Sequence, residues 1–224
     1  RGLGDVYKRQ SENEGKLRRT PMTKEEVREV SICKLHLTQN AVVYDIGSGT
    51  GSVAIEIAGV PGRVQVYAIE RKPEAVELLR KNRAQFHMDN IQIIEASAPE
   101  GLEELPVPTH AFIGGSGGRL MDILQVLYRK NPHMRIVINA ISMETIAELK
   151  EVLDTFPVEE EEILQMQVSR VKKLLSYHLP QAENPVWICS FTFREIGTDP
   201  MDNSKKTKQD AEETGNGKNG EVQR

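Results

Sequence analysis

The sequence predicts an α/β fold: a mostly parallel sheet covered by helices on both faces, with an antiparallel hairpin at one edge. Three observations predict it. Between residues 20 and 195, runs rich in β-branched residues alternate with segments of helical period. An acidic strand end runs directly into a glycine loop, Asp45-Ile46-Gly47-Ser48-Gly49-Thr50-Gly51, which a helical pattern follows. The last two apolar runs have no helix-length pattern between them, so they are free to pair with each other.

The elements follow in order. A first helix is expected over Thr23–Leu37, where Thr23 and Glu26 have the spacing of a capping box that satisfies free N–H groups at both positions. Strand Ala41–Ile46 leads through the glycine loop into helix Ser52–Ala58, and strand Val64–Ile69 leads into helix Pro73–His87, which has proline in its first turn. Strands Ile91–Glu95, Ala111–Gly114 and Ile136–Ala140 come next, with helices at Arg119–Lys130 and Met143–Thr155. Ile163–Ser169 and Val186–Phe193 form the expected edge hairpin, and Trp187 belongs to its core face. Residues 20–196 make one domain. Residues 1–19 read as a disordered leader or remnant, and residues 197–224 as a disordered polar tail too poor in apolar groups to offset the entropy of ordering.

Composition narrows the function. The 224 residues are 38% hydrophobic and carry a net charge of -4, a field that repels a phosphate backbone and argues against a nucleic-acid substrate. No apolar run approaches the ~18 residues of a membrane helix. The two cysteines, Cys33 and Cys189, lie far apart in apolar surroundings with neither disulfide nor metal-ligand spacing, so a reducing cytoplasm fits and no metal is expected.

Gly47, Gly49 and Gly51 let the backbone turn sharply and approach a ligand without a Cβ in the way. Glu70 ends the next strand, where a carboxylate accepts hydrogen bonds from the ribose hydroxyls of an adenosine. The glycines are spaced Gly-x-Gly-x-Gly rather than Gly-x-Gly-x-x-Gly, and Asp45 precedes them. A carboxylate there repels a pyrophosphate but attracts an ammonium and a sulfonium, which selects S-adenosylmethionine over a dinucleotide. The expected fold is therefore the Rossmann-like one of class I S-adenosylmethionine-dependent methyltransferases.

Four further segments carry a resemblance: Met22-Thr23-Lys24-Glu25-Glu26-Val27-Arg28, Glu95-Ala96-Ser97-Ala98-Pro99-Glu100, Phe112-Ile113-Gly114-Gly115-Ser116-Gly117-Gly118 and Asn139-Ala140-Ile141, with Glu144-Thr145 and Asn184-Pro185. With the glycine loop, they make residues 20–195 similar to the decarboxylating cobalt-precorrin-6B (carbon 15) methyltransferases, the CbiT family. That family also occurs as the C-terminal half of fused precorrin-6Y methyltransferase. The resemblance implies a seven-stranded sheet and a homotetramer. It implies methylation of ring carbon 15 of a cobalt-containing or metal-free precorrin, loss of the carbon 12 acetate carboxyl, and a role in cobalamin biosynthesis. The methyltransferase acting on ring carbon 5 is its implied partner or fusion. Carried over by position, the cofactor contacts are Thr23, Gly47, Ser48, Gly49, Thr50, Gly51, Glu70 and Ala98. Ser97 stands where the family often has an acidic residue, so its adenine contact is the weaker one of a hydroxyl.

On the substrate side, Gly114, Gly115, Ser116, Gly117 and Gly118 make a low wall of open N–H groups, suited to a flat polycarboxylate macrocycle. The Asn/Asp-Pro-Pro-aromatic sequence that grips planar nitrogen groups is missing from this position. Basic partners for the substrate carboxylates are expected at Arg170, Lys172 and Lys173, of which Arg170 matches a family arginine, and Arg119 is a further candidate. No general base is assigned. His36, His87, His110, His133 and His178 show no paired spacing, and His178 beside Tyr177 is the nearest to an exception. Two other readings fit the same domain: a methyltransferase acting on tRNA or another small metabolite, and a non-catalytic adenosine-binding or assembly protein.

Overall fold

The computed structural model describes residues 23–195, and the leader and tail expected from the sequence lie outside them. The chain runs α1 (Glu25–Lys34), β1 (Val42–Ile46), α2 (Ser52–Ala58), β2 (Gln65–Glu70), α3 (Pro73–Gln85), β3 (Ile91–Glu95) and β4 (His110–Ile113). It continues α4 (Leu120–Lys130), β5 (Arg135–Ala140), α5 (Met143–Thr155), β6 (Val158–Met166), β7 (Ser169–Leu174), β8 (Tyr177–Ala182) and β9 (Val186–Phe193). Seven strands form one sheet in the order β3-β2-β1-β4-β5-β9-β6. Strands β1 to β5 are mutually parallel, and β9 runs antiparallel to both its neighbours.

Two-sided burial explains why the central strands read as apolar runs. Every residue of β4 and β5 is buried, and the pleat sends alternate side chains to two cores. Tyr44, Ile46, Ile113 and Ile138 pack toward α4 and α5, whereas Val43, Phe112 and Val137 pack toward α1, α2 and α3. Asp45 shares the face of Val43 and is fully buried. No helix among the described residues is long and apolar enough to cross a membrane.

Two expectations are corrected, those for the start of α1 and for Cys33. The N-cap position of α1 falls on Lys24 rather than Thr23 and has no side-chain bond, and Glu26 pairs with Arg170. The last two apolar runs pair antiparallel at the sheet edge as expected, as β6 and β9, with β9 next to β5 and β6 outermost. Its glutamate-rich sequence and an irregularity between Glu159 and Glu162 suit an edge that must not recruit another strand. Between them the chain makes a separate two-stranded ribbon, β7 with β8, which the sequence reading leaves without an element. Cys33 is also exposed rather than apolar in setting, while Cys189 is buried.

Candidate active site

The carboxyl ends of β1, β2 and β4 bring three loops together. The amides of Gly47 and Ser48 both donate to the Ile69 carbonyl at 3.0 Å, and that of Gly114 donates to the Ile46 carbonyl at 2.9 Å. These bonds fasten the loop after β1 to its neighbours on either side. Gly47 has φ +73°, and a Cβ there would lie 2.6 Å from the Gly115 carbonyl oxygen and 2.8 Å from its nitrogen. The two glycine loops are thus in backbone contact. Gly115 itself faces open space, since a Cβ on it would meet nothing within 4 Å.

A cavity of about 260 Å³ lies over these loops, near the lower end of small-molecule clefts. Of the residues singled out from sequence, Gly47, Gly49, Glu70, Ser97, Ala98, Gly114, Gly115, Ser116 and Gly117 line it, joined by Arg119. Thr23, Asp45, Ser48, Thr50, Gly51, Gly118 and Arg170 are outside its lining. Gly51 serves the fold: it has φ +80° at the start of α2, and a side chain there would strike Leu79. Thr50 is tied down by its carbonyl, which accepts from Asn82 at 2.9 Å. Ile46, Ile69 and Ala96 give the lining an apolar wall, and Arg71 and Lys72 add two cations that sequence reading passed over. The available signal was their position, directly after Glu70.

Glu70 is buried and already engaged. Its Oε2 accepts from the Gly49 amide at 2.9 Å, and its Oε1 accepts from the amides of Arg71 and Lys72 at 3.0 and 2.9 Å. A carboxylate has about four acceptor positions. Three are filled, which orients the group and leaves room on Oε2 for a ligand hydroxyl.

Asp45 lies beneath the glycine loop, its Oδ2 accepting from the Ser48 hydroxyl at 2.6 Å and its Oδ1 buried without a partner. Burial pushes its carboxyl up to about 7, opposed by Ser48 and by the Ala54 amide at the start of α2 and reinforced by the charge of Glu70. An unfolded aspartate titrates near pH 4, so between about pH 4 and 7 the folded chain holds a proton that the unfolded chain has lost. Stability from this group therefore falls as pH rises through that window, by on the order of 4 kcal/mol, and is level above it. Asp45→Asn is expected to remove this slope, so the Tm of the variant should gain on wild type from pH 4 to pH 7. Parallel Tm profiles for the two proteins would show that Asp45 does not titrate there.

Arg170 stands on β7 and pairs with Glu26 at 2.7 Å and Glu183 at 3.4 Å. Lys172 and Lys173 are exposed on the same strand. The ribbon's basic cluster thus does not reach the cavity lining. Ser116 points toward Glu148 of α5 at 3.5 Å, too long for a good hydroxyl bond. None of the five histidines lines the cavity.

A Rossmann-like sheet with one antiparallel strand beyond β5, a glycine loop after β1 and a carboxylate closing β2 define the fold of class I S-adenosylmethionine-dependent methyltransferases. Within that class, the family model of the precorrin methyltransferase domain matches residues 17–192, and the chain belongs to this family. It is 37% identical over 171 residues to a probable cobalt-precorrin-6B C(15)-methyltransferase (decarboxylating) of Sulfolobus acidocaldarius, covering 75% of this chain and 88% of the relative. Identity to the cobalt-precorrin-6B C(15)-methyltransferase (decarboxylating) of Salmonella typhimurium is 35% over 169 residues, or 75% and 87% of the two chains. Among solved structures, the precorrin-6Y C5,15-methyltransferase of Geobacter metallireducens superposes with a TM-score of 0.73 at 34% identity, covering 80% of this chain and 94% of that one.

Proposed function

We propose that this chain methylates ring carbon 15 of cobalt-precorrin-6B, or of its metal-free counterpart, and releases the carboxyl of the carbon 12 acetate as carbon dioxide, a step of cobalamin biosynthesis in the cytoplasm. The observation that carries the reading is the backbone contact of Gly47 with Gly115, which sets a nucleoside-binding loop against an open, glycine-rich loop. The named activity of relatives at 35–37% identity supports it.

The residues present fit S-adenosylmethionine. Gly47 and Gly49 give the close approach, Glu70 has acceptor capacity for the ribose, and Ile69, Ala96 and Ala98 offer an apolar wall for an adenine, with Ser97 at its edge. Bound there, the cofactor supplies an electrophilic methyl group. Asp45 holds Ser48 and the loop from below. The chain's own contribution is orientation, because an electron-rich ring carbon is already a nucleophile and gains most from being held in line. Gly114 to Gly117 allow a flat macrocycle to lie close, with the N–H groups of Gly115 to Gly117 available to its carboxylates while that of Gly114 is held by the Ile46 carbonyl. Loss of carbon dioxide leaves an electron pair on the acetate methylene, which passes into the conjugated ring system of the methylated product. No side chain is assigned as general acid or base.

A homotetramer belongs to the same proposal, supported by the ribbon's exposed Val171, Leu174, Leu175, Tyr177 and Leu179, an apolar set that a second copy would cover. Incubation with cobalt-precorrin-6B and S-adenosylmethionine, followed by mass spectrometry, tests the chemistry: one methyl gained and one carbon dioxide lost is expected. Methyl gain alone overturns the coupled decarboxylation, and failure to bind S-adenosylhomocysteine in calorimetry overturns methyl transfer itself. Sedimentation of the same sample at the mass of a single chain would overturn the tetramer.

A further inference from the structure

Arg71, Lys72 and Arg119 bring three cations to the cavity, more than a cofactor with one carboxylate requires. Arg119 is already engaged. Its Nη1 donates to both carboxylate oxygens of Glu100 at 2.8 and 2.7 Å, and its Nε to Asp122 at 3.4 Å. Arg71 is differently placed: among the described residues its guanidinium makes no hydrogen bond or ion pair, although the side chain is exposed at the rim.

The head of that side chain lies beside the loop after β4. Its Nη1, Cζ and Nη2 are 3.7, 3.8 and 4.0 Å from the point that a Cβ on Gly117 would occupy. The side chain therefore starts at the end of β2, on the cofactor side, and reaches the glycine loop on the other side of the mouth. Gly117, at φ +63°, offers no side chain to cover the guanidinium. The root of Arg71 is fixed as well, because Glu70 Oε1 accepts from the amides of both Arg71 and Lys72. The carboxylate placed to hold the ribose thus also sets the origin of the arginine.

We propose that Arg71 is a substrate-binding residue that grips a peripheral carboxylate of the tetrapyrrole over Gly117, with Lys72 adding charge behind it. The inference rests on the reading of this site as that of a methyltransferase acting on a polycarboxylate macrocycle. A guanidinium presents a planar fork matched to a carboxylate, and free donors pay no exchange of partners when the ligand arrives. Arg119 must first release Glu100 and Asp122. Arg170, the basic residue favoured from sequence, is held by Glu26 and Glu183 outside the cavity lining.

The test uses the full chain with Arg71→Met and Arg71→Lys, S-adenosylhomocysteine in calorimetry, and steady-state turnover of cobalt-precorrin-6B. Arg71→Met is expected to raise KM for the tetrapyrrole about tenfold or more, the loss of one charge-assisted contact. Its kcat and its affinity for S-adenosylhomocysteine should stay within about twofold of wild type, which also shows that the variant is folded. Arg71→Lys should recover part of the KM, since it restores the charge without the fork. KM should also climb more steeply with salt in wild type than in Arg71→Met. An unchanged KM in Arg71→Met overturns the inference alone. An equal fall in S-adenosylhomocysteine affinity overturns it in favour of an arginine stacked on the adenine. Cofactor binding without turnover by wild type overturns the functional reading, and the inference with it.

Discussion

Gly47→Ala is expected to weaken S-adenosylhomocysteine binding at least ~100-fold, because the added methyl meets two independent obstacles. The first is conformational: at φ +73° a side chain costs about 1–2 kcal/mol in the left-handed region. The second is steric and larger. The new Cβ would stand 2.6 Å from the carbonyl oxygen and 2.8 Å from the nitrogen of Gly115, and neither is the movable end of a side chain. The loop after β1 or the loop after β4 must shift, and the amides of Gly47 and Ser48 that share the Ile69 carbonyl shift with it. Calorimetric titration measures the effect, with Gly115→Ala as the contrast. A Cβ on Gly115 meets no protein atom within 4 Å, so that variant should keep the Tm of wild type. Wild-type affinity in Gly47→Ala would show that the contact between the two loops does not shape the cofactor site.

The same loops show what the sequence made legible. Strands β1, β4 and β5 were visible as apolar runs because both their faces are buried, and the glycine loop was informative because a strand precedes it and a helix follows. Helix α5 was placed at its observed bounds, with Ser142 accepting from the Thr145 amide at its start. Long-range partners were not legible. Nothing local in Val186–Phe193 says that Cys189 will sit between Ile138 and Ile163, with its strand next to β5 and β6 outermost. The ribbon of β7 and β8 was invisible because alternation appears only when one face is buried, and both of its faces are exposed. Ion pairing had the same effect on the site: from the sequence Arg71, Arg119 and Arg170 differ little, and only the positions of Glu100, Glu26 and Glu183 separate them. Asp45 shows the limit at one residue. Its place before the loop was evident, but the pleat turns it to the face of Val43 and away from the cavity.

Glu56→Ala is expected to destabilise the chain by about 3–5 kcal/mol, the cost of leaving a buried charge without its partner. Arg28 is 2% exposed in the middle of α1, and its Nη2 donates to Glu56 Oε1 at 2.6 Å, with the glutamate side chain 17% exposed. Among the described residues, the guanidinium without Glu56 keeps one bond, from Nη1 to the Thr23 carbonyl at 2.9 Å, while Nε is buried without a partner. A chain of this size has only a modest margin over unfolding, so such a loss should lower the urea midpoint clearly. The paired replacement Arg28→Met with Glu56→Leu removes both charges and fills similar volume, and should cost far less than Glu56→Ala alone. The apolar anchors of α1, Val27 and Leu35 beyond its end, are untouched in the pair and keep the helix seated. If the double variant is destabilised as much as the single one, then α1 depends on the geometry of the Arg28–Glu56 bond itself, and the segment that enters α1 at Thr23 is held by that bond rather than by apolar packing.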